Sequence, residues 1–327
     1  MGPEIVMYLL EDTAIVDLTT CREHRRGWGA KGAPETSPYR VLAPHDPDFP
    51  AQLKSIPDSP PSLWIRGAMR REDALAVAIV GSRRATPHGL ALAEQLAGDL
   101  AARGVTVVSG LARGIDSAAH RGALAAGGRT IAVLGSGVDR VYPPENRRLA
   151  AEISVRGAVL SQFAPGTPAL AHHFPIRNRV IAGLALGVVV VEAAEASGSL
   201  ITAGHAADLG REIMAMPGPA GSPSSRGAHH LIRDGAALVE GWEDVVALLP
   251  APWRACVGHP APRPPDELDA AADPLLALIG AEPASIEELI ERSGISASRA
   301  AARLLDLELD GRVRQLPGKR FIRVPRG

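Results

Sequence analysis

The chain has 327 residues, 46% of them hydrophobic and 22% charged, which is typical of a folded protein and excludes the polar, highly charged composition of a disordered one. A formal net charge of -1 excludes capture of an acidic polymer by overall charge, so nucleic-acid binding would require local groups of arginines. Aromatic residues make up only 3% of the chain, which disfavours a broad base-stacking surface such as an OB-fold or an RNA-recognition sheet.

The N-terminal part of the chain carries few signals of regular structure. Residues 1–38 show weak periodicity and a stretch rich in glycine and arginine, so we expect a poorly ordered or vestigial segment. Over residues 39–67, prolines alternate with apolar side chains. This pattern predicts an irregular arm that packs on a larger domain.

From Ala76 to Leu249, short β-branched runs such as VAIV, VTVVSG and TIAVLG alternate with longer stretches rich in alanine and leucine. Such alternation is typical of repeated βαβ units, and strands without polar alternation are typical of a parallel sheet covered on both faces. The sequence therefore predicts an α/β fold, with a doubly wound, mostly parallel, Rossmann-like sheet of six or seven strands. With the arm, this core spans residues 39–249.

The C-terminal part reads as a linker and a small second domain. Residues 250–272 are rich in proline and alanine, which is typical of a linker. Within residues 273–327, three helical stretches precede a basic, hairpin-like tail, which predicts a winged helix. The predicted wing carries Arg312, Arg314, Lys319, Arg320 and Arg323. Its role stays open between duplex DNA binding and protein contact.

Neither metal binding nor membrane insertion is indicated. The two cysteines, Cys21 and Cys256, have no ligand spacing, which predicts a reducing compartment and no metal. The apolar run Val180–Val191 is too short to span a bilayer and no signal peptide is recognisable, so we expect a cytoplasmic protein. The serines lack a nucleophile-elbow sequence and the histidines have no obvious carboxylate partner, so the sequence predicts no catalytic residues.

Three loops that follow predicted strands combine glycine with arginine. In a doubly wound sheet, ligands bind at the carboxyl ends of the strands, where helix N-termini present free amides. Arginines add bidentate donors, so three such loops side by side predict an extended anion groove. For a single loop, ordinary turn chemistry explains the glycines equally well. The residues that we expect to line the groove are Gly81, Ser82, Arg83, Ser109, Gly110, Arg113, Gly135 and Gly137.

Two further segments extend this predicted groove. The motif FPIRNR places a proline near a helix start and cations in the first turn, where they oppose the helix dipole, so we expect them to serve a ligand rather than surface carboxylates. A loop with two hydroxyls follows the strand VVVVEA, although Ser199 could simply cap a helix there. The candidate residues are Phe174, Arg177, Asn178, Arg179, Gly198, Ser199 and Thr202.

A dinucleotide cofactor is disfavoured, and we expect no cofactor. The segment around Gly135 and Gly137 lacks the third glycine of the nicotinamide fingerprint, and the strand VTVVSG ends without an acidic residue for a ribose.

Several motifs in one order resemble the bacterial DNA-processing protein A family, called DprA or Smf. They are GSRRATPHG, VVSGLARGIDSAAH, TIAVLGSGVDRVYPPEN, FPIRNRVIAGL, GSLITAGHA and, after AMPG, SRGAHHLIRDGA. The resemblance covers residues 39–249, and the C-terminal tail is similar to the winged helix that ends many members. It implies a non-enzymatic protein that binds single-stranded DNA during natural transformation, forms a homodimer, protects the incoming strand and loads the RecA recombinase.

The resemblance also implies residue roles. Arg83 would contact the phosphate backbone, with donors from Gly81, Ser82, Ser109 and Gly110. Arg177 and Arg179 would line the same pocket, while Asn178 would position a base and Phe174 would pack on one. His230, Leu231 and Ile232 are candidates for the dimer or RecA surface. The chain departs from the family with Gln162 where glutamate is common and His229 where asparagine is common.

Two other functions remain open from the residues alone. A nucleotide-cleaving enzyme on a related scaffold, such as a phosphoribohydrolase, would also use glycine-rich loops, although its expected Arg/Glu pair is not seen around Gly198. A transcription factor acting through the C-terminal wing would bind duplex DNA in a sequence-specific way without the core.

Overall fold

The structure is a computed structural model that describes residues 39–258, 274–279, 283–309, 313–316, 318 and 320–323. The chain divides into two compact units between His259 and Pro260, and each unit is described by itself. The predicted N-terminal segment, with Cys21, and residues 259–272 of the predicted linker lie outside the described residues.

The first unit is built on a nine-stranded sheet, in the order β1-β2-β6-β5-β4-β3-β7-β8-β9. Seven neighbouring strands, from β6 to β9, pair in parallel, which confirms the predicted doubly wound fold. The strands are β1 (Arg40–Leu42), β2 (Leu63–Gly67), β3 (Ala76–Val80), β4 (Thr106–Ser109), β5 (Thr130–Val133), β6 (Ala158–Ser161), β7 (Gly187–Val190), β8 (Glu212–Ala215) and β9 (Ala237–Leu238).

The two additional strands come from the arm, which is therefore less irregular than predicted. β1 pairs antiparallel with β2, and β2 pairs antiparallel with β6, in a register that places Ile65 opposite Leu160. Both side chains are buried, so the arm completes one edge of the sheet.

Helices cover both faces of this sheet. They are α1 (Ala51–Lys54), α2 (Pro87–Ala102), α3 (Ile115–Ala125), α4 (Arg147–Arg156), α5 (His173–Leu184), α6 (Gly198–Asp208), α7 (Arg226–Arg233), α8 (Trp242–Leu248) and α9 (Ala251–Arg254). Strand β3 is buried on both sides because Ala78 and Val80 pack in one hydrophobic cluster and Val77 and Ile79 in another. This explains the continuous apolar run of its sequence.

Local chemistry sets the start of α2 and its close approach to α3. The Thr86 hydroxyl caps α2 by accepting a hydrogen bond from the Gly89 amide at 3.0 Å, and Pro87 occupies the first helical position. A Cβ at Gly122 of α3 would overlap the backbone of Glu94 in α2, so only glycine permits this crossing.

The predicted linker begins later than expected. Residues 251–254 form α9, and Trp253, Cys256 and Val257 pack against the core cluster on the α2 face of the sheet. The Gly258 amide donates to the Arg103 carbonyl at 2.9 Å. Apolar side chains spaced along a proline-rich stretch therefore extend the first unit beyond Leu249.

The second unit confirms the winged-helix prediction. A three-stranded sheet, ordered β10-β12-β11, packs with its helices around Leu289, Leu304 and Phe321. Its elements are α10 (Pro274–Leu278), β10 (Ala284–Ser285), α11 (Ile286–Ser293), α12 (Ala297–Leu309), β11 (Val313–Leu316) and β12 (Arg320–Arg323). Ser285 and Glu288 form a capping box at the start of α11.

The order of the parallel strands reverses beside β3, which lies between β4 and β7. In open α/β sheets, ligands bind at the carboxyl ends of strands near such a reversal. The loops after β3, β4, β5 and β7 therefore border the candidate site.

Candidate functional site

An aromatic platform lies at the carboxyl edge of the sheet, and we define it as Arg83, Tyr142 and Phe174. The Phe174 ring packs on Gly135, where a Cβ would lie 2.8 Å from Phe174 Cδ1. The Arg83 guanidinium carbon lies 5.1 Å from the centroid of the Phe174 ring, within cation–π range, and the Tyr142 centroid lies 5.9 Å away. The fold thus joins the loops after β3 and β5 to the start of α5. Tyr142 was not among the predicted site residues.

Arg177 lies beneath this platform rather than on it. Its side chain is buried, with 3% exposure, and its Nη1 donates to the Val133 carbonyl at 2.8 Å. Burial lowers the pKa of Arg177 to about 10, while Asp116 acts to raise it, so the guanidinium stays charged at neutral pH. A Cβ at Gly110 would overlap Arg177 Nη1, which explains this glycine by packing.

Asp116 orders the loop after β4. Its buried carboxylate accepts hydrogen bonds from the amides of Gly110 at 3.1 Å and Ala112 at 3.3 Å. Burial raises the pKa of Asp116, whereas the charge of Arg177 and these two amides oppose the rise. Asp116 was not among the predicted site residues, although it follows the motif GLARG at the start of a helix.

Glu192 occupies the N-terminus of α2, where a doubly wound fold commonly holds a phosphate. Its buried carboxylate accepts from the Thr86 amide at 3.2 Å and from the Thr86 hydroxyl at 2.7 Å. Its carbonyl accepts from the Ser82 amide at 2.7 Å. Glu192 therefore holds the Arg83 loop at both ends, and a negative charge suits this helix terminus.

An arginine cleft of about 280 Å³ lies beside the platform and shares Arg83 with it. Its lining residues are Arg83, Arg84, Ala85, Leu90, Arg113, Gly114, Ser117, Arg121 and Asn146. Of these, Arg113 forms an ion pair with Glu145. Arg84 and Arg121 were not predicted as site residues. Arg84 is the neighbour of Arg83 in the same loop, whereas Arg121 lies in an alanine-rich helix outside any glycine-rich motif.

Comparison with known proteins identifies the family of this chain. A family model described as DNA recombination-mediator protein A matches residues 40–250, well over half of the chain. The chain belongs to this family. A second model, the DprA winged helix domain, matches residues 259–319. The resemblance found in the sequence is therefore confirmed.

Individual relatives of this DprA-family chain agree. It is 41% identical over 295 residues to the protein Smf of Escherichia coli strain K12, covering 88% of this chain and 79% of the relative. The X-ray structure of DNA processing protein A from Streptococcus pneumoniae superposes with a TM-score of 0.61 and 43% identity, over 65% of this chain and 75% of the other. A structure of the Helicobacter pylori protein, described with its single-stranded DNA binding mode, gives a TM-score of 0.57 and 27% identity, covering 63% and 93%.

Two predicted site residues of the DprA-family chain, Arg179 and Ser109, form hydrogen bonds within the protein. Arg179 donates to the Pro57 carbonyl at 3.0 Å and lies 3.7 Å from Asp58. Arg179 therefore bonds to the arm, and its place in the groove stays a prediction. The hydroxyl of Ser109 is buried and donates to the Ile79 carbonyl at 2.6 Å, between two strands.

The predicted residues around the loop after β7 are joined by local hydrogen bonds. Asn178 donates to the Gly198 carbonyl at 3.3 Å, linking α5 to α6. The cap of α6 is Ser197 rather than Ser199, because the Ser197 hydroxyl accepts from the Ser199 amide. Ser199 and Thr202 are buried.

The residues predicted for the dimer or RecA surface lie on α7. The side chain of His230 is 56% exposed and lies 3.8 Å from Glu195, whereas Leu231 packs partly against the core. Ile232 is half-buried. His229, one of the two family departures, lies 3.0 Å from the Gly218 carbonyl, and Gln162, the other, is half-buried.

Among the described residues, no group of three or more histidine, cysteine, aspartate or glutamate side chains is placed to hold a metal ion. None of the described helices is long and apolar enough to cross a bilayer.

His120 gives the protein a predictable response to acid. Its ring is fully buried beside Thr130, with Nδ1 2.7 Å from the Thr130 hydroxyl oxygen, and burial lowers its pKa from 6.5 to about 3. Below pH 6.5 the unfolded chain therefore takes up a proton that the folded chain excludes, and stability falls as the pH falls towards 3. Between pH 7 and pH 5 we expect a loss of about 2 kcal/mol from His120 alone.

Urea unfolding at several pH values checks this expectation, with His120→Gln as the comparison. The variant cannot titrate at this position, so its stability should fall less between pH 7 and pH 5 than that of the wild type. Parallel pH profiles for the two proteins would contradict the expected role of His120.

Proposed function

We propose that this chain binds single-stranded DNA without sequence preference. The observation that carries the proposal is the aromatic platform, where Phe174 and Tyr142 lie together at the open edge of the sheet and Arg83 lies over the Phe174 ring. Rings offer any unstacked base a face to stack on, and arginine offers a charge for the adjacent phosphate. The H. pylori relative, described with a single-stranded DNA binding mode, supports the same ligand.

The platform favours a single strand over a duplex. Bases in a duplex are already stacked and paired, so a base must leave the helix before it can reach a protein ring, at a cost of a few kcal/mol. A single strand exposes its bases without that cost. With only 3% aromatic residues in the chain, a small platform must supply the stacking, and most of the affinity would come from arginine–phosphate contacts.

Arg177 contributes from below the platform in this proposal. With 3% exposure it has little surface to offer a phosphate directly. Its charge is offset by the neighbouring Asp116 carboxylate, so its contribution is structural: its position against Gly110 supports the loop after β4. Gly81, Gly135 and Gly137 remain predicted contacts of the strand.

Replacing Arg83 with alanine tests the proposal. Loss of one charge-assisted contact of about 1.5–3 kcal/mol should weaken binding of a labelled oligothymidylate about 10- to 150-fold. Wild-type binding should also weaken between low and high salt, because phosphate contacts release counterions. Fluorescence anisotropy at two salt concentrations measures both effects, with a duplex of equal length as competitor.

Arg71→Ala provides the matched control. Arg71 is exposed and precedes β3, whereas Arg83 follows it. The two arginines therefore lie at opposite ends of this strand. We expect Arg71→Ala to bind like the wild type. An Arg83→Ala variant with wild-type affinity would reject the platform as the DNA site.

We propose further that the bound chain acts as a homodimer that protects incoming DNA during natural transformation and loads RecA onto it. The family description, a DNA recombination mediator, supports this role. The exposed His230 at the end of the core, with Leu231 and Ile232, is the proposed contact surface. Light scattering would measure the dimer, and RecA filament assembly on protein-coated single strands would measure loading, with His230→Glu expected to weaken one or both.

The competing enzymatic function has less support. A nucleoside monophosphate on this fold would place its phosphate at the N-terminus of α2, and the carboxylate of Glu192 already accepts the hydrogen bonds offered there. Release of free base from nucleoside monophosphates would instead favour the enzyme.

A further inference from the structure

The arginine cleft concentrates positive charge that neighbouring carboxylates neutralise only in part. Four guanidiniums, from Arg83, Arg84, Arg113 and Arg121, line one cleft of about 280 Å³. Glu145 pairs with Arg113, and within the described ranges none of the other three has a carboxylate oxygen within 4.0 Å. Like charges gathered in a concave surface repel one another and raise the local concentration of anions. The cleft is therefore suited to a ligand with negative charge.

A chain of hydrogen bonds links the segments that form the floor of the cleft. The Asn146 amide nitrogen donates to the Leu111 carbonyl at 2.8 Å and to the Ser117 hydroxyl at 2.9 Å. The Ser117 hydroxyl in turn donates to the Ala112 carbonyl at 2.6 Å. These bonds tie the segment after β5, α3 and the loop after β4 together. Because Ser117 and Arg121 are four residues apart on α3, they lie on one helix face, towards the cleft.

Glu145 lies at the rim of the cleft, and its carboxylate can compete with an anionic ligand for Arg113. Its carboxylate accepts a hydrogen bond from Nε of Arg113, and this bond raises the pKa of Arg113 and lowers that of Glu145, so the pair stays charged. A guanidinium binds a carboxylate and a phosphate through the same donors. The Arg113 side chain is 60% exposed and that of Glu145 is 49% exposed, and pairs this exposed are weak enough for a phosphate to replace.

We propose that the arginine cleft is a second phosphate site, and that Glu145 competes with the phosphate for Arg113. The ligand is a backbone phosphate of the same single strand whose base stacks on the platform, because Arg83 borders both the platform and the cleft. The inference rests on the proposed single-strand binding and adds a direction to it: the strand passes from Phe174 across Arg83 towards Arg121. Glu145 lowers the affinity of this second contact and so shortens its lifetime.

The experiment measures how strongly salt weakens oligothymidylate binding. A single strand loses about 0.7 from the slope of log K against log salt for each phosphate contact removed. Arg121→Ala should therefore lower the slope by about 0.7 and weaken binding several-fold at low salt, with an unchanged melting temperature because Arg121 is exposed. Glu145→Gln should bind several-fold more tightly than the wild type, and should gain nothing when Arg113 is already alanine. Arg71→Ala is again the control.

The outcomes separate this inference from the function on which it rests. An unchanged slope for Arg121→Ala, beside a large loss for Arg83→Ala, would overturn the second site and leave single-strand binding intact. If Arg121→Ala and Arg83→Ala both bound the oligothymidylate like the wild type, the proposed function would be contradicted as well. Weaker binding by Glu145→Gln would overturn the competition, because it would make Glu145 a support of the site.

Discussion

Gly110→Ala is expected to lower the free energy of unfolding by about 1.5–3 kcal/mol, the cost typical of a lost hydrogen bond to a charged group. An added Cβ would overlap Nη1 of Arg177 and lie 2.7 Å from a carboxylate oxygen of Asp116. The guanidinium would have to move, which would break its hydrogen bond to the Val133 carbonyl and withdraw the positive charge that opposes protonation of Asp116. Urea unfolding monitored by circular dichroism measures the loss.

Gly204→Ala is the control for Gly110→Ala. Gly204 lies in α6 with no atom within 4 Å of an added Cβ, so alanine there should stabilise the helix by up to about 1 kcal/mol. Equal midpoints for the Gly110 and Gly204 variants would show that Arg177 can move aside without cost.

Asp73→Ala is expected to lower the free energy of unfolding by about 3–5 kcal/mol. Asp73 lies at the amino ends of the parallel strands, opposite the candidate site. The Asp73 side chain is 1% exposed and lies 2.7 Å from Arg129, whose guanidinium is largely buried. The Asp73 carboxylate also accepts from the Thr106 hydroxyl at 2.9 Å and the Arg70 amide at 2.8 Å. Removing it leaves the Arg129 cation without its counter-ion, with only the Arg156 and Ala68 carbonyls as acceptors, and leaves two donors without their acceptor.

Thermal and urea unfolding measure this second effect, with Asp99→Ala as the control. The Asp99 side chain is 41% exposed and lies 3.7 Å from Arg103, so its removal should cost less than about 1 kcal/mol. Since Asp73 precedes β3, oligothymidylate binding by the folded variant should equal that of the wild type. A loss below 1 kcal/mol for Asp73→Ala would mean that water replaces the lost acceptor.

The parallel part of the sheet was predictable because its strands are short, β-branched and separated by helical stretches of suitable length. The antiparallel strand β2 was not, since the prolines around Leu63–Gly67 suggested irregular structure. Pairing with β6 overrides that local signal: Trp64 and Ile65 face Ser161 and Leu160 across the sheet. Long-range pairing of this kind leaves little trace in a short window of sequence.

The site was predictable where it follows the topology of strands and loops. Arg83, Gly135 and Phe174 come together because their segments end or begin at one edge of the sheet. The position of Arg179 was not predictable from its motif. Residues two apart on a helix point about 200° apart, so Arg177 and Arg179 cannot serve the same pocket equally. Arg179 contacts the arm instead.

Residues outside glycine-rich motifs were the hardest to assign. Arg121 lies in an alanine-rich helix and Tyr142 in a proline-rich turn, and only the folded chain brings them near Arg83 and Phe174. In the sequence, Glu192 is only the charged residue that follows an apolar run. Its contacts with Thr86 cross 106 positions of sequence, and no local pattern predicts such a pair.

The carboxylate of Glu192 supplies, from within the chain, a negative charge at the start of α2. A loop that waits for a nucleotide to order it loses binding energy when the nucleotide arrives, and its shape then varies with the supply of that nucleotide. Here the anion is part of the chain, and Glu192 accepts hydrogen bonds from Ser82 and Thr86 at the two ends of the loop. In the proposed function, the loop therefore needs no separate anion to order it before a strand binds.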